Sequence, residues 1–402
     1  MKFKNYRTRF LINFFWLFSL NNLGYLFSII TLPILISKFG YQDMGLVFTT
    51  QAIIFGMVAI ANYSLIFYIP TQSKAISVNE NIFKETWSLS INIRAYISVL
   101  LILISLLFVA IYFKNYFNLW LLSLPIVIFK IMNPTLFFNA LEKNKYILLI
   151  GFFSKLLFLL VVIVISNKDY INLCLGLSEL FVVLFFLKQS KKPFFDFQLL
   201  SLKKVILFLK ETFNLFLVNF FSLLKPVIIL PLTSYLFGPS YATIYTLADK
   251  IINMIRGISG AMFTSFFPIY NKERFDLTVF RKKTEALILC CLLLVVALIY
   301  MGSPYLIFVL NNFQENNIAV NILRILSLSI PMFFIIIPLF SYLLELKKWN
   351  IILNFAILQL AVLFLFYLIF HNNLYQIAIG FVISEYVLLV GYIIYIMKLK
   401  KS

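Results

Sequence analysis

The sequence predicts an all-α integral membrane protein of about twelve transmembrane helices arranged as two six-helix lobes. Three observations predict it. Of 402 residues, 62% are hydrophobic and only 12% charged, with a mean hydropathy of +0.99, more apolar sequence than a water-soluble core uses. The apolar runs last long enough for a helix to cross about 30 Å of hydrocarbon, whereas a membrane barrel needs short alternating segments. The formal net charge of +19 is dispersed over many short loops. That is the pattern of membrane orientation, not of a nucleic-acid-binding face.

Twelve apolar segments separated by Asn, Lys, Gly and Pro are the expected spans: about 11–36, 44–68, 88–112, 118–140, 146–166, 170–187, 211–237, 243–270, 284–309, 316–345, 350–370 and 373–397. Met1–Arg9 is basic and precedes an apolar run, as in a signal peptide. However, Leu11–Ile36 is too long and lacks a small-residue cleavage site, so it is kept as the first span. Assigning loops alternately puts 24 basic residues on the side of the N-terminus and three, Lys38, Lys114 and Lys168, on the other. Both termini are therefore expected in the cytoplasm, with the chain in the bacterial inner membrane.

The longest connection, Leu187–Lys210, is lysine-rich and lies near the middle of the chain. It divides the sequence into an N-terminal lobe (1–190), a basic cytoplasmic linker (191–210) and a C-terminal lobe (211–402). Internal similarity supports two copies of one unit. At an offset of 198 residues, Leu32-Pro33 matches Leu230-Pro231, Phe39-Gly40 matches Phe237-Gly238, and Pro70 and Lys74 match Pro268 and Lys272. Glu142, Lys145 and Tyr146 resemble Glu345, Lys348 and Trp349 at offset 203, and Ser178-Glu179 resembles Ser384-Glu385 at offset 206. Two parallel six-helix repeats suggest a V-shaped alternating-access transporter with its site between the halves. Prolines within the spans (Pro33, Pro125, Pro134, Pro226, Pro231, Pro331, Pro338) each remove a helix hydrogen bond and permit a bend.

Charges inside the spans are the candidate functional residues, because an ionised side chain at mid-bilayer costs about 2.5–3.5 kcal/mol on insertion scales. Lys225 stands near the middle of one span, after Asn219 and Ser222 at helical spacing. In the next span Thr246, Asp249, Asn253, Arg256 and Gly260 form one polar stripe, with Lys250 beside it. Lys130 and Lys155 are the deep cations of the first half, and Arg94 and Arg324, nearer span ends, are either ligands or interfacial anchors. The acids in comparable positions are Glu179, Asp249 and Glu385, so the interior is net cationic. Structural roles compete with this reading, since Asp249 neutralises any neighbouring cation and Lys250 has a stem long enough to snorkel.

Other chemistries lack their residues. Cys174, Cys290 and Cys291 lie in apolar spans without zinc or redox spacing and read as small buried hydrophobes. One histidine, His371, in a polar break with Asn372 and Asn373, cannot make a metal cluster or a catalytic triad, and no Walker loop is present. No metal, cofactor or enzymatic activity is expected.

Three passages resemble the Wzx-type polysaccharide flippases, a branch of the superfamily that also holds the multidrug and toxin extruders (MATE) and the lipid II flippases. Leu32-Pro-Ile-Leu-Ile-Ser-Lys-Phe-Gly40, followed by Gly45 and Gln51, is similar to that family's first hairpin. Leu141-Glu-Lys-Asn-Lys-Tyr146, followed by Ser154-Lys155, is similar to its fourth-to-fifth helix turn. Leu236-Phe-Gly-Pro239, followed by Tyr245-Thr-Leu-Ala-Asp-Lys250 and Pro268, is the most specific match. Pro70-Thr-Gln-Ser-Lys74 departs from the pattern, since relatives often carry an arginine after the threonine.

The resemblance implies a MATE-like fold. It also implies translocation of an undecaprenyl-pyrophosphate-linked oligosaccharide repeat to the outer leaflet for O antigen, capsule or related glycans, alongside a polysaccharide polymerase and a chain-length regulator. Lys130, Lys155, Lys225, Lys250, Arg256 and Arg324 would then face the diphosphate. Asp249, Glu179 and Glu385 would be candidates for coupling to a proton or sodium gradient, with the membrane potential as the alternative source of energy. A cation antiporter of the same superfamily would need acids to hold its cargo, yet Leu11–Ile36 carries none. A polymerase would be expected to carry a sizeable outer loop, and a scaffold has no use for buried cations.

The loop asymmetry makes a direct prediction about topology. Reporter fusions at Lys192 and Asn372 should fall on opposite sides of the membrane. The same side for both would break the span count and the repeat assignment together.

Overall fold

The computed structural model describes residues 2–112, 116–141, 143–189, 198–273, 282–346, 348–370 and 373–399. These form α1 (Lys2–Ala61), α2 (Leu65–Thr71), α3 (Ser73–Val78), α4 (Glu80–Tyr112), α5 (Phe117–Ile131), α6 (Thr135–Ala140), α7 (Asn144–Val164) and α8 (Tyr170–Gln189). They continue as α9 (Leu202–Glu211), α10 (Phe213–Phe237), α11 (Pro239–Glu273), α12 (Lys282–Leu310), α13 (Asn317–Ser327), α14 (Ile330–Glu345), α15 (Trp349–Ile369) and α16 (Leu374–Leu399). Each of the twelve expected segments falls mainly on helix, the structure that satisfies its own backbone in hydrocarbon. Among the described residues nine segments are long and apolar enough to cross a membrane. The count recovers the other three once α1 is taken as two helices hinged at Gly40 and the shorter α8 and the more polar α11 are added. This is a multi-pass membrane protein.

Two glycines mark equivalent points of the two repeats. Gly40 breaks α1 at φ 74°, ψ 173°, a region open essentially to glycine alone. Gly238, 198 residues on, joins α10 to α11 at φ 95°. A Cβ at either position would meet nothing within 4 Å. Backbone conformation, not space, is the reason for glycine here.

Packing divides the chain into one unit of Met1–Ser37 with Tyr235–Ser402 and another of Lys38–Ser234. Sequence halves and packing units are thus different divisions. The first half of α1 packs with the C-terminal helices, and α10 up to Ser234 packs with the N-terminal ones. Both boundaries fall just before a glycine hinge. In the unit of Lys38–Ser234, α5 and α8 pack closely, with Gly176 of α8 against Pro125 and the backbone of Ile126. In the other, α15 and α16 pack closely, and Gly380 and Gly391 admit the rings of Phe366 and Phe355.

Within the linker expected at 191–210, helix α9 buries Val205 and Phe208; residues 191–197 lie outside the described residues, as does His371. One expectation is corrected, since the cysteines are not buried: Cys174 is half-exposed, and Cys290 and Cys291 are exposed. A spanning helix is apolar on its lipid face too, so hydrophobicity there does not report burial. The prolines also divide by position. Pro33, Pro125 and Pro338 sit within helices, whereas Pro134 is the N-cap of α6 and Pro331 lies in the first turn of α14, where a missing N–H costs little.

The hinge predicts a substitution pattern. Gly40→Ala should lower stability by about 1–3 kcal/mol through strain alone, whereas Gly24→Ala, in ordinary helix with nothing within 4 Å of a Cβ, should be neutral or slightly stabilising. Thermal unfolding in detergent reads both. Equal midpoints for Gly40→Ala and the parent chain would remove the hinge argument.

Candidate functional site

Polar side chains gather in two clusters, one in each packing unit. In the unit of Lys38–Ser234, Lys130 in the last turn of α5 places Nζ 2.7 Å from Glu179 Oε2 on α8. Asn133 Nδ2 donates to the same oxygen at 3.4 Å, and the charge of Lys155 on α7 also acts on this carboxylate. Next to the pair, Ser154 Oγ donates to the Ser178 carbonyl at 2.9 Å. A further chain of hydrogen bonds joins Gln51 Nε2 to Asn172 Oδ1 (2.8 Å) and Asn172 Nδ2 to Ser123 Oγ (2.8 Å). These contacts tie α1 beyond its hinge, α5 and α8 through polar atoms inside apolar helices.

The other unit holds Asp249, Asn253 and Arg256 on one face of α11, as their spacing of four and three residues requires. Asn253 Nδ2 donates to Asp249 Oδ2 at 2.5 Å. Arg256 Nη2 stands 3.8 Å from Glu385 Oε1 on α16, and Gln359 Nε2 on α15 donates to Glu385 Oε2 at 3.0 Å. The guanidinium lies over the rings of Phe333 (4.1 Å) and Phe381 (5.4 Å), a cation–π geometry suited to a partly desolvated charge. Arg256 Nη2 is itself buried without a hydrogen-bond acceptor. Tyr25 from the first half of α1 and Tyr245 lie within the electrostatic reach of Asp249 and Arg256. The charge of Lys250 acts on Asp249 as well.

The acids of the two clusters correspond at the offset seen between the sequence halves. Glu179 and Glu385 stand 206 residues apart, each after a fully buried serine whose hydroxyl donates to the carbonyl three residues back at 2.7 Å, Ser178 to Leu175 and Ser384 to Phe381. Each acid meets a cation from another helix and an amide from a third position.

The remaining candidates lie elsewhere. Lys225 is buried in α10, 4% exposed. Asn219, one and a half turns before it, donates to the Tyr63 carbonyl at 2.7 Å, supporting a residue with φ 49° that is stacked on Phe216. Arg324 Nε donates to Ser303 Oγ at 3.1 Å, and its guanidinium lies over Tyr300. It ties α13 to α12 and is not among the partners of the Arg256 cluster. Arg94, 2% exposed, donates to the carbonyls of Ile131 (3.2 Å) and Asn133 (2.9 Å), closing the C-terminal end of α5. Sequence reasoning did not single out Asn133, Gln359, Tyr25, Phe333 or Phe381. A lone glutamine in the apolar run 349–369 was the one available signal.

No family model and no curated protein matches the chain by sequence. Solved structures do match. A multidrug resistance MATE family transporter of the MOP superfamily, in an outward-facing conformation, is similar at a TM-score of 0.72 and 15% identity over 98% of this chain and 96% of that one. A MOP superfamily transporter from Pyrococcus furiosus, described as having a binding pocket of reverse polarity that suggests a different function, is similar at 0.70 and 15% over 98% and 96%. A Vibrio cholerae MATE transporter is similar at 0.64 and 12% over 98% of each chain. The fold is MATE-like.

The Arg256–Glu385 geometry predicts an asymmetry between single and paired substitutions. Glu385→Leu leaves a guanidinium without its carboxylate and should cost about 2–3 kcal/mol, somewhat below the value for a fully buried pair because Arg256 keeps some exposure. Adding Arg256→Met should recover part of that loss. Unfolding midpoints of the two singles and the double measure the coupling, and additive losses would mean that the pair does not interact.

Proposed function

We infer that this chain is a membrane transporter that moves an anionic, lipid-linked oligosaccharide, an undecaprenyl-pyrophosphate-linked repeat unit, across the bacterial inner membrane. The observation that carries the reading is the sign of the charge inside the expected spans of one packing unit. In the unit of Lys38–Ser234, half-buried Lys130 and Lys155 and buried Lys225 accompany a single acid, Glu179, among the described residues of the spans expected from the sequence. Setting aside Arg94, whose donors cap a helix, still leaves an excess of positive charge where hydrocarbon disfavours any charge. A diphosphate answers that excess, and its sugars need a polar route that the bilayer does not offer. Lysines supply point charge, and Arg256 supplies a planar fork for phosphate oxygens. No bond is made or broken in such a step.

The MATE-like fold supports transport without prescribing the cargo, since its neighbours include multidrug transporters and a protein whose pocket polarity is described as reversed. A cation antiporter is the second reading. It is favoured by Asp249 and Glu385, two carboxylates in one cluster of the unit that contains α11 and α16. The same acids serve the flippase reading as sites for a coupling ion, with both termini in the cytoplasm and alternating access between the lobes.

Complementation separates the readings. In a cell lacking its own polysaccharide flippase, this chain should restore surface polysaccharide. Lys225→Arg should retain most of it, and Lys225→Glu should reduce it to background at equal membrane abundance, because like charge is costly at low dielectric. Arg256→Lys should lose more than Lys225→Arg. Wild-type polysaccharide from well-expressed Lys225→Glu, together with gradient-driven efflux of a cationic dye, would favour the antiporter.

A further inference from the structure

The segment 198–212, most of which falls in the basic linker expected at 191–210, is a strap fixed to the protein at both ends. Asn92 Nδ2 on α4 donates to the Gln198 carbonyl at 2.9 Å, and Asn92 Oδ1 accepts from the Leu200 N–H at 3.3 Å. Ser88 Oγ accepts from the Gln198 N–H at 3.1 Å. At the other end, Tyr63 donates from its hydroxyl to the Leu209 carbonyl at 2.7 Å, Ser64 Oγ donates to Thr212 Oγ1 at 2.9 Å, and Phe208 packs edge-on against Tyr68 at 4.8 Å. Buried serine and asparagine side chains are thus committed to holding an exposed helix in place. A connection needed only for its length would not require them.

What the strap presents is a mixed basic and aliphatic face. Val205 and Phe208 point inward, while Lys203, Lys204 and Lys210 are exposed. Beside them Leu199, Leu202, Ile206 and Leu207 are 81%, 59%, 48% and 51% exposed. Leu202 and Ile206 share one stripe of α9 by their spacing of four, and Lys203, Leu207 and Lys210 share the next. Among the described residues, Glu211 on the helix and Glu85 on α4 act electrostatically on Tyr68, which packs against Phe208. Three lysines outnumber the helix's own acid, so the face is basic.

The position relative to the bilayer follows from length. Helix α10 starts one residue after Thr212 and has 25 residues, about 37 Å of helix against roughly 30 Å of hydrocarbon. The C-terminal end of α9 therefore meets the edge of the apolar layer, where headgroup phosphates lie. Aliphatic side chains that exposed, flanked by lysines at that depth, match a lipid surface better than water.

We propose that α9 and residues 198–201 form a binding surface for anionic phospholipid headgroups of the host membrane. Lys203, Lys204 and Lys210 meet the phosphates, and Leu199, Leu202 and Ile206 rest in the upper acyl region. Each lysine near an anionic surface contributes about a fivefold preference for it. The proposal is independent of the cargo.

The test uses the full chain in vesicles. With Cys174, Cys290 and Cys291 replaced by alanine, Ile206→Cys carries a polarity-sensitive dye, and the protein is reconstituted in phosphatidylcholine with increasing phosphatidylglycerol. Emission should shift to the blue as phosphatidylglycerol is added, and high salt should reverse the shift. K203Q/K204Q/K210Q should move the midpoint to a several-fold higher phosphatidylglycerol fraction, and K203R/K204R/K210R should leave it near the parent value. Because Val205 and Phe208 anchor the helix, these variants keep the packing. Emission that is indifferent to phosphatidylglycerol, or a midpoint unmoved by the glutamine triple, overturns the proposal.

Discussion

A charge taken into hydrocarbon must be answered, and this structure is organised by how it answers two carboxylates. Glu179 and Glu385 occupy equivalent positions of two repeats, each on the last long helix of its repeat and each after a buried serine. Their partners differ. Glu179 makes a close bond at 2.7 Å to a lysine with support from Asn133, whereas Glu385 holds Gln359 at 3.0 Å and keeps an arginine at 3.8 Å between two phenylalanine rings. A lysine ammonium satisfies one acceptor as a point charge, while the larger guanidinium spreads its charge and is satisfied in part by ring faces. The acid is the element common to both repeats, and the cation beside it varies.

Not every intramembrane cation is free for this purpose. Arg94 is buried, yet its donors go to the carbonyls of Ile131 and Asn133, the open C-terminal end of α5. Asn133 in turn donates to Glu179 and accepts from the Thr135 N–H at 2.9 Å. Arg94 is therefore a positioning residue for the Lys130–Glu179 pair. Lys38 is used similarly, donating to the carbonyls of Val162 and Ile163 in the last turn of α7 and of Ile165 just after it, and Lys168 pairs with Asp43 at 2.5 Å. These are two of the three basic residues expected on the outer side, and both are engaged in local structure.

Much of this was legible in the sequence, for reasons that differ by feature. The spans were readable because hydrocarbon thickness sets a minimum run length, and Gly40 and Gly238 because a repeat offset of 198 aligned them before any backbone angle was known. The Ser-Glu pairs were readable in the same way. The exchange of helices between packing units was not, because it depends on which of many equally apolar faces meet. Burial of the cysteines was misjudged for the related reason that core and lipid faces have one composition. Gln359 was invisible as a partner because a single amide carries no periodicity, and α9 was hidden in a lysine-rich stretch whose apolar residues alternate with charge over less than three turns.

The fold and the charge therefore inform function unequally. A MATE-like trace recurs here at 12–15% identity with transporters described as multidrug extruders and with one described as reversed in pocket polarity. Side-chain charge is more discriminating, because each uncompensated ion in a span costs free energy that only a counter-ion or a charged ligand offsets. Lys130 and Arg256 are already answered by carboxylates at rest. An anion arriving at either must compete with Glu179 or Glu385, and the arginine pair at 3.8 Å gives up less on exchange than the lysine pair at 2.7 Å. For the anionic cargo proposed above, electrostatics favours Arg256 as the cation that exchanges its carboxylate first.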